Sequence, residues 1–509
     1  MKQYFLGIEF GSTRIKAVLL DEKHAIVKSG DYTWKSSLEN GVWTYHMEDV
    51  QEGLRTAIRN LGELPGKISA MGVSGMMHGY LAFDKDWNLL APFHTWQNTM
   101  TGEAADKLTE AFGFNIPQRW SAAHLYQAVL NGEPHVKNIA HVTTLAGYVH
   151  YLLTGENVLG VGEASGMFPI DSETLTYDAA MLDKFDALMA KYGFDWNIRA
   201  VLPEVRTAGQ SAGLLTPSGS EYLGGLLPAG IPLCPPEGDA GTGMTATNAV
   251  GPRTGNVSAG TSIFSMVVLE HPLQKVYPEI DLVTTPTGRP VAMVHCNNCT
   301  NDMNAWTGVL RETAELFGSS VDTGELFTKL YRKSLEGEAD CGGVMVVNYL
   351  AGEGVTHLDE GRPLVLRRPD SRFTLANFLR AQLYSTMATL KIGMDLLASE
   401  QVAIDSLTGH GGLFKTPGVG QKYMAAACGA PVTVMESAGE GGPYGMALLA
   451  AFVLQGGGET LEAFLAEHVF ADAVRMTLQP DPADVEGFRT FLNQYKACLR
   501  VEQAATENL

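Results

Sequence analysis

Read for hydrophobic periodicity, the chain opens with the alternation of strands: YFLGIEF, the turn GSTR, IKAVLLD, a second turn and AIVKSGDYTW. Three short strands joined by tight turns predict an antiparallel meander. The period then changes. From about Glu48 to Leu61, the residues Val50, Leu54, Ile58 and Leu61 share one helical face, and a strand of buried type, KISAMGVSG, follows. Strands followed by helix and strand predict a mixed α/β layer fold.

Further along, TLANFLRAQLYSTMATLKIGMDLL predicts a long helix capped by Thr374. Its Leu375, Phe378, Leu379, Leu383, Met387, Leu390 and Met394 recur at helical spacing and are expected in the core. After it come a strand-like VAIDSLTG, the glycine turn GHGG, another helix, a strand PVTVME and the helix GMALLAAFVL. Strand, turn and helix in alternation predict ligand loops at strand ends. The tail from Thr460 to Leu509 reads as helices separated by PDPAD.

The middle of the chain repeats the pattern of its start. GNVSAGTSIFSMVVLE stands beside GIEFGSTRIKAVLLD: in each, a short strand meets glycine and two hydroxyl residues (Gly11-Ser12-Thr13 and Gly260-Thr261-Ser262), then an apolar strand. Two small-residue hairpins can match by chance. A duplicated hairpin would instead place two such loops face to face, able to hold a polyphosphate from both sides. A length of 509 residues exceeds what one core sustains, so two domains are expected, 1–250 and 251–509, meeting near Gly251-Pro252.

Composition and charge narrow the partners. With 45% hydrophobic and 18% charged residues the chain is too apolar for disorder. A formal net charge of -20 disfavours nucleic acid and anionic membranes, which it would repel at long range. A nucleotide is still compatible with that charge if backbone N–H groups, a cation and a placed lysine hold it locally. Six cysteines in so long a chain suggest a reducing compartment, and Cys296-x-x-Cys299, lacking a second ligand pair, is expected to be ordinary packing. The N-terminus enters a strand without a leader-like pattern, and the longest apolar run, Met446 to Leu454, falls short of the ~20 residues that span a bilayer. A soluble, cytoplasmic protein is expected; a homodimer is left open.

Four elements carry candidate chemistry: Gly11-Ser12-Thr13, Asp239 within PPEGDAGTGM, Gly260-Thr261-Ser262, and Gly409-His410-Gly411-Gly412. Phosphoryl transfer to an alcohol needs a carboxylate to accept the hydroxyl proton, an acid near the cation and donors around the phosphates. Asp239, among glycines, is expected on a loop before the domain boundary; by itself such an Asp is most often a turn former. Glu9 sits in a predicted buried strand, where a carboxylate needs a cation or donor partner, Lys16 being one choice.

These segments resemble the FGGY carbohydrate kinases, the group of xylulokinase, ribulokinase and glycerol kinase. The likeness runs in order from about Phe5 to Phe452: GIEFGSTRIKAVLLD, MGVSGMMHGYLAFD, LTGENVLGVGEASGMFPID, PPEGDAGTGM, GNVSAGTS, NAWTGVLRE, NYLAGEG with EGRP, and GHGGLFKTP ending in GMALLAAF. The resemblance implies two ribonuclease-H-like (actin-like ATPase) α/β domains with a cleft between them, ATP and Mg2+ as cofactors, and a small sugar as acceptor. It implies Asp239 as the base, Glu9 in the place of a magnesium-linked Asp with Asp239 as a further metal candidate, and Lys16 close to the phosphates. Gly11, Ser12, Thr13, Gly260, Thr261 and Ser262 would form the phosphate loops; Gly411, Gly412 and Thr416 would lie along the nucleotide, with Ala305 and Trp306 beyond it. Met77-His78-Gly79 is similar to the Met-His-Gly of xylulokinases, implying Met77, His78 and Trp96 at the sugar and a ketopentose such as xylulose or ribulose.

The chain departs from the family pattern in places. Glu9 replaces Asp; HTWQNTM has Asn98 and Met100 where W-x-D-x-R is usual; Ala240 follows Asp239 where Asn or Gln is common. Each removes or lengthens a polar contact, so a kinase for another polyol or ketose and a non-catalytic sugar or nucleotide sensor stay open as alternatives; an actin- or chaperone-like ATPase would also use paired phosphate loops, but Met77-His78-Gly79 speaks against it.

Overall fold

The computed structural model describes residues 2–435 and 441–509. They divide into two compact units, one of residues 2–251, 281–291 and 441–472, the other of 252–280, 292–435 and 473–509.

The first unit is built on the opening meander. Strands β1 (Tyr4–Phe10), β2 (Arg14–Leu20) and β3 (Ile26–Thr33) pair antiparallel, as the alternation predicts. Helix α1 (Met47–Arg59) follows, with Val50, Leu54 and Ile58 buried, and then β4 (Ile68–Gly75), which lies parallel to β1. After helix α2 (Leu145–Thr154) comes the two-residue strand β5 (Glu237–Gly238), parallel to β4, running straight into helix α3 (Asp239–Ala246). The sheet order is β5-β4-β1-β2-β3.

Strand alternation decides what covers each face. Leu6, Ile8 and Phe10 of β1 join Val50, Leu54 and Ile58 of α1 in one core. The opposite face carries Gly7 and Gly72, paired across β1 and β4, and the buried helix Gly442–Gln455 lies directly on them. A Cβ on Gly7 would fall 2.1 Å from the Pro443 carbonyl oxygen, and one on Gly72 would fall 2.4 Å from the Met446 side chain. That helix is apolar all round, which suits a helix buried on every side.

The second unit repeats the plan. Strands β6 (Thr254–Ala259) and β7 (Ile263–Val268) form the antiparallel hairpin, followed by β8 (Pro290–Cys296) and helix α4 (Asn301–Leu316). Helix α5 (Leu375–Ser399) leads to β9 (Ser406–His410), parallel to β6; helix α6 (Val419–Cys428) leads to β10 (Val432–Met435), parallel to β9. Strand β11 (Arg475–Leu478) and helix α7 (Pro482–Asn508) complete it. Neighbouring strands run β8-β7-β6-β9-β10-β11. The run β3-β2-β1-β4-β5 of the first sheet corresponds strand for strand to β8-β7-β6-β9-β10, so the repeated hairpins are equivalent parts of a duplicated α/β fold, as expected.

Some local expectations change. The Thr374 side chain caps α5 by accepting the Asn377 N–H, but Leu375, at the first helical position, is 44% exposed while the rest of the predicted stripe is buried. PDPAD is no spacer: Asp481 accepts the Ala483 and Asp484 N–H groups and Pro482 starts α7, so the segment is that helix's N-terminus. The strand before it went unpredicted because an edge strand such as RMTL, mostly exposed, has no buried alternation to show. Glu436 of PVTVME lies outside the described residues.

Because Gly7 has no room for a methyl group, Gly7→Ala is expected to displace the Gly442–Gln455 helix and destabilise the first unit by about 1–3 kcal/mol. A urea or thermal melt superimposable on that of the wild type would show that the contact relaxes without cost.

Candidate active site

The site in the first unit is organised by register. Phe10 is level with Gly75, and Gly75 with Gly238, so the three parallel strands β1, β4 and β5 end in one row. The Gly11-Ser12-Thr13 turn, the Met76-Met77-His78 segment and Asp239 therefore leave the same edge of the sheet. Carboxyl ends of parallel strands are where α/β folds place ligands.

Asp239 is the first residue of α3, and not on a loop as its glycine-rich surroundings suggest. Two glycines in DAGTGM weaken a helix by roughly 1 kcal/mol each, and tertiary contact compensates: Gly445 of the Gly442–Gln455 helix approaches so closely that a Cβ would lie 1.9 Å from the Thr242 carbonyl oxygen. The Asp239 Oδ1 accepts the Met77 N–H at 3.2 Å, while the residue keeps solvent access. Its carboxyl pKa is raised by the protein around it, against the pull of the Met77 and Ala240 N–H groups and the Arg119 charge.

Glu9, next to the last residue of β1, lies directly across from Lys16 on β2. Burial first and the Asp239 charge second push its carboxyl up to about 8, with Lys16 opposing. Its Oε1 rests against Gly442 at the start of the Gly442–Gln455 helix; a Cβ at Gly442 would come within 1.9 Å of it, so a bare glycine is required there. The helix N-terminus adds a partial positive charge. Among the described residues no cluster of three or more His, Cys, Asp or Glu is arranged for a metal. The two mutually repelling carboxylates Glu9 and Asp239 nevertheless fit Mg2+, which takes one or two carboxylates and completes its shell with water and phosphate oxygens.

His78 adopts φ 70° and is buried, its ring stacked on Trp120 at 6.1 Å. Its Nδ1 lies 3.0 Å from the Gly166 carbonyl. A carbonyl only accepts, so Nδ1 carries a proton and donates it there. Met77 contributes its backbone N–H to Asp239, while its side chain packs on Gly238. Trp96, 37% exposed, donates its indole N–H to the Ser12 Oγ at 3.2 Å. Trp34 and Tyr45 bond the Gly11 and Ser12 carbonyls at 2.7 and 2.6 Å, which fixes the turn's shape.

Three charged residues of this region escaped the sequence reading. Glu237 accepts the Gly162 and Glu163 N–H groups and is pushed up to about 8 by burial. Glu163 is fully buried beside Gly238, its carboxyl raised by burial. Arg119 pairs with Asp281, and burial brings its guanidinium down to about 10 against the Asp239 charge. A signal for Glu237 did exist in VLGVGEASG: side chains at Gly160 and Gly162 would fill the space of its carboxylate. Asn98, read as a lost charged contact, is buried and brackets Trp43, accepting its N–H and donating to its carbonyl, both at 2.8 Å. Met100 is 43% exposed.

In the second unit, β6 and β9 run in parallel with Ser258 level with His410, so the Gly260-Thr261-Ser262 turn and Gly411 leave together. Gly411 has φ +96° and approaches the Ala259 carbonyl, where a Cβ would be 2.4 Å away. The Gly260 carbonyl receives the Thr300 hydroxyl at 2.7 Å and the Thr261 carbonyl receives the Cys299 N–H at 3.0 Å, which anchors the start of α4 on the loop. The His410 Nε2 is buried without a hydrogen-bond partner among the described residues, and burial lowers the ring's pKa. A Cβ on Gly260 would meet nothing within 4 Å. An unsatisfied ring nitrogen and bare, open backbone beside it suit a phosphate-bearing ligand. Ala305 is exposed on α4, Trp306 packs edge-on against Phe378 at 4.8 Å, and Thr416 is buried in the turn before α6. Cys296 and Cys299 are buried free thiols.

Comparison with known proteins agrees with this architecture. Residues 4–245 match the N-terminal domain and residues 255–454 the C-terminal domain of the FGGY family of carbohydrate kinases. The chain is 24% identical to a glycerol kinase of Thermococcus gammatolerans, covering 80% of this chain and 81% of that protein, and 23% identical to a xylulose kinase of Haemophilus influenzae, covering 77% and 79%. The crystal structure of a gluconate kinase from Lactobacillus acidophilus superimposes with a TM-score of 0.81 at 18% identity, over 98% of both chains. Relatives with three different acceptors leave the acceptor of this chain unassigned. With both family domains matched along most of its length, the chain belongs to the FGGY family of carbohydrate kinases.

Proposed function

We propose that this protein transfers the γ-phosphoryl group of ATP to a hydroxyl of a small ketose or polyol, a ketopentose such as xylulose or ribulose being the favoured acceptor, with Asp239 as general base. The observation that carries it is Asp239 itself: an accessible carboxylate at the level end of three parallel strands, held through Oδ1 and electrostatically coupled to Glu9. Mg-ATP, when bound, supplies the phosphoryl group and the cation that neutralises its charge.

The chain's residues divide the work. His78, oriented through Nδ1, would bond a sugar hydroxyl, and Met77 holds Asp239 in place through its N–H. Trp96 lies against Ser12 and would flank the acceptor. Asp239 accepts the proton of the attacking hydroxyl, a task suited to a raised carboxyl pKa. Glu9, with Asp239, would hold the metal. Gly11, Ser12, Thr13 and Lys16 in the first unit, and Gly260, Thr261, Ser262, Gly411, Gly412, Thr416 and Ala305 in the second, would hold the nucleotide. The buried, structural role of Asn98 removes one reason to read the chain as a sensor, since its polar groups serve the fold.

Asp239→Asn is expected to lower kcat at least about 10²-fold with nucleotide affinity retained, measured by coupled ADP release and by nucleotide titration. Sugar-dependent turnover at the wild-type level would remove Asp239 from the role of base. Glu9 keeps its proton until pH approaches about 8 and must shed it to bind a metal, so apparent Mg2+ affinity should climb as pH rises toward that value and level off above it. Glu9→Gln should weaken Mg2+ activation and flatten the pH dependence; an unchanged Mg2+ titration would place the metal elsewhere.

A further inference from the structure

Arg119 belongs to no motif, and the fold puts it in the middle of the acceptor residues. Its carbonyl accepts the Gly79 N–H at 3.1 Å, so its backbone runs beside the His78-Gly79 segment. The next residue, Trp120, is the fully buried ring on which His78 stacks, and Ser121 bonds the Gly79 carbonyl at 2.5 Å. Arg119 is thus locked to the same backbone clamp as His78. Its guanidinium pairs through Nη2 with Asp281, which is itself buried and lies within 3.5 Å of the Asn115 amide. The guanidinium pairs with Asp281 through Nη2 and feels the Asp239 charge, and the side chain keeps 24% of its surface open, where a ligand can reach it.

An arginine beside a base is a recognition element for carboxylate or phosphate when its charge is unmatched, and a hydroxyl donor when it is matched. Here it is matched. Asp281 masks Arg119, and Lys16 stands across from Glu9, while Asp239 adds a further negative charge. A carboxylate-bearing acceptor would find Arg119 already paired with Asp281 and would be repelled by Asp239; an uncharged polyol would receive N–H donors at no charge cost.

We propose that Arg119 is the acceptor-orienting residue of this site, and that Asp281, by masking its charge, makes the site reject aldonates in favour of uncharged sugars. This rests on the kinase reading given above. The structural superposition on a gluconate kinase shows that the fold alone does not decide between these acceptor classes.

The test compares kcat/KM for ketopentoses and polyols with that for D-gluconate in the wild type, Arg119→Lys, Arg119→Met and Asp281→Asn. Wild type should favour an uncharged acceptor by at least about 100-fold. Arg119→Met should raise the acceptor KM at least about tenfold, leaving the ATP KM unchanged, and Arg119→Lys should recover part of the loss. Asp281→Asn, nearly isosteric, should unmask the cation and shrink the preference against gluconate at least about tenfold. A wild-type preference for gluconate, an acceptor KM untouched by Arg119→Met, or a ratio untouched by Asp281→Asn overturns the proposal. If Arg119→Met fails to fold, Arg119→Lys and Asp281→Asn decide it. A wild type that phosphorylates no sugar at all defeats the kinase reading instead, an outcome distinct from activity that merely ignores Arg119.

Discussion

The chemistry of the first unit depends on a burial constraint at one end of its sheet. Three parallel strands stop at the same level, and the face of β1 that carries Glu9 is covered by the Gly442–Gln455 helix with no room to spare. The carboxylate is thereby taken out of water, against a helix N-terminus and next to Asp239. Burial raises its proton affinity, and the neighbouring charge raises it further. A divalent cation, as proposed, would relieve this conflict. The proposed cation site and the closeness of the helix are then one physical arrangement, since the absent side chain at Gly442 is what lets Glu9 sit there.

The duplication explains why the two units carry related loops with different surroundings. In each, a glycine and two hydroxyl residues close a hairpin whose first strand pairs in parallel with a later strand, β4 in the first unit and β9 in the second. In the first unit aromatic donors from Trp34 and Tyr45 hold the loop, and a carboxylate stands at its entrance. In the second unit the holding groups are Thr300 and the Cys299 backbone, and the neighbour is a glycine turn with a buried, unsatisfied histidine nitrogen. One backbone plan thus presents an acidic environment in one copy and a bare-backbone environment beside a histidine in the other.

Two polar residues of the first unit, Asn98 and Arg119, differ in what their contacts serve. Asn98 is a clamp on the Trp43 backbone, and its amide satisfies both the N–H and the carbonyl of that residue, so its identity is explained by folding. Arg119 has a different setting: it lies along the His78-Gly79 segment within reach of the Asp239 charge, and 24% of its side chain stays open beside its pairing with Asp281. Of these two polar features of the acceptor region, the latter bears on what the enzyme accepts.

Alternation and helical spacing alone specified the meander, α1, the Thr374-capped helix and the repeated hairpin, because strand faces and helix stripes are written at short range as periods of two and 3.6. The glycine-hydroxyl turns, Asp239 and His78 were legible for the same reason: each lies in a compact local motif. Asp239 as the start of a helix was not, since the glycines of DAGTGM oppose a helix that only its packing against Gly445 sustains. Strand β11 and the exposure of Leu375 depended on which neighbours arrive at an edge or a helix start. Arg119 and Asp281 stand 162 residues apart, Glu237 meets the Gly162 N–H across 75, and Glu9 meets a glycine in the last fifth of the chain. Such partners share no local period. Only the tertiary fold, by bringing distant segments to one sheet edge and removing water from between them, decided which of these charges would face each other and in what protonation state.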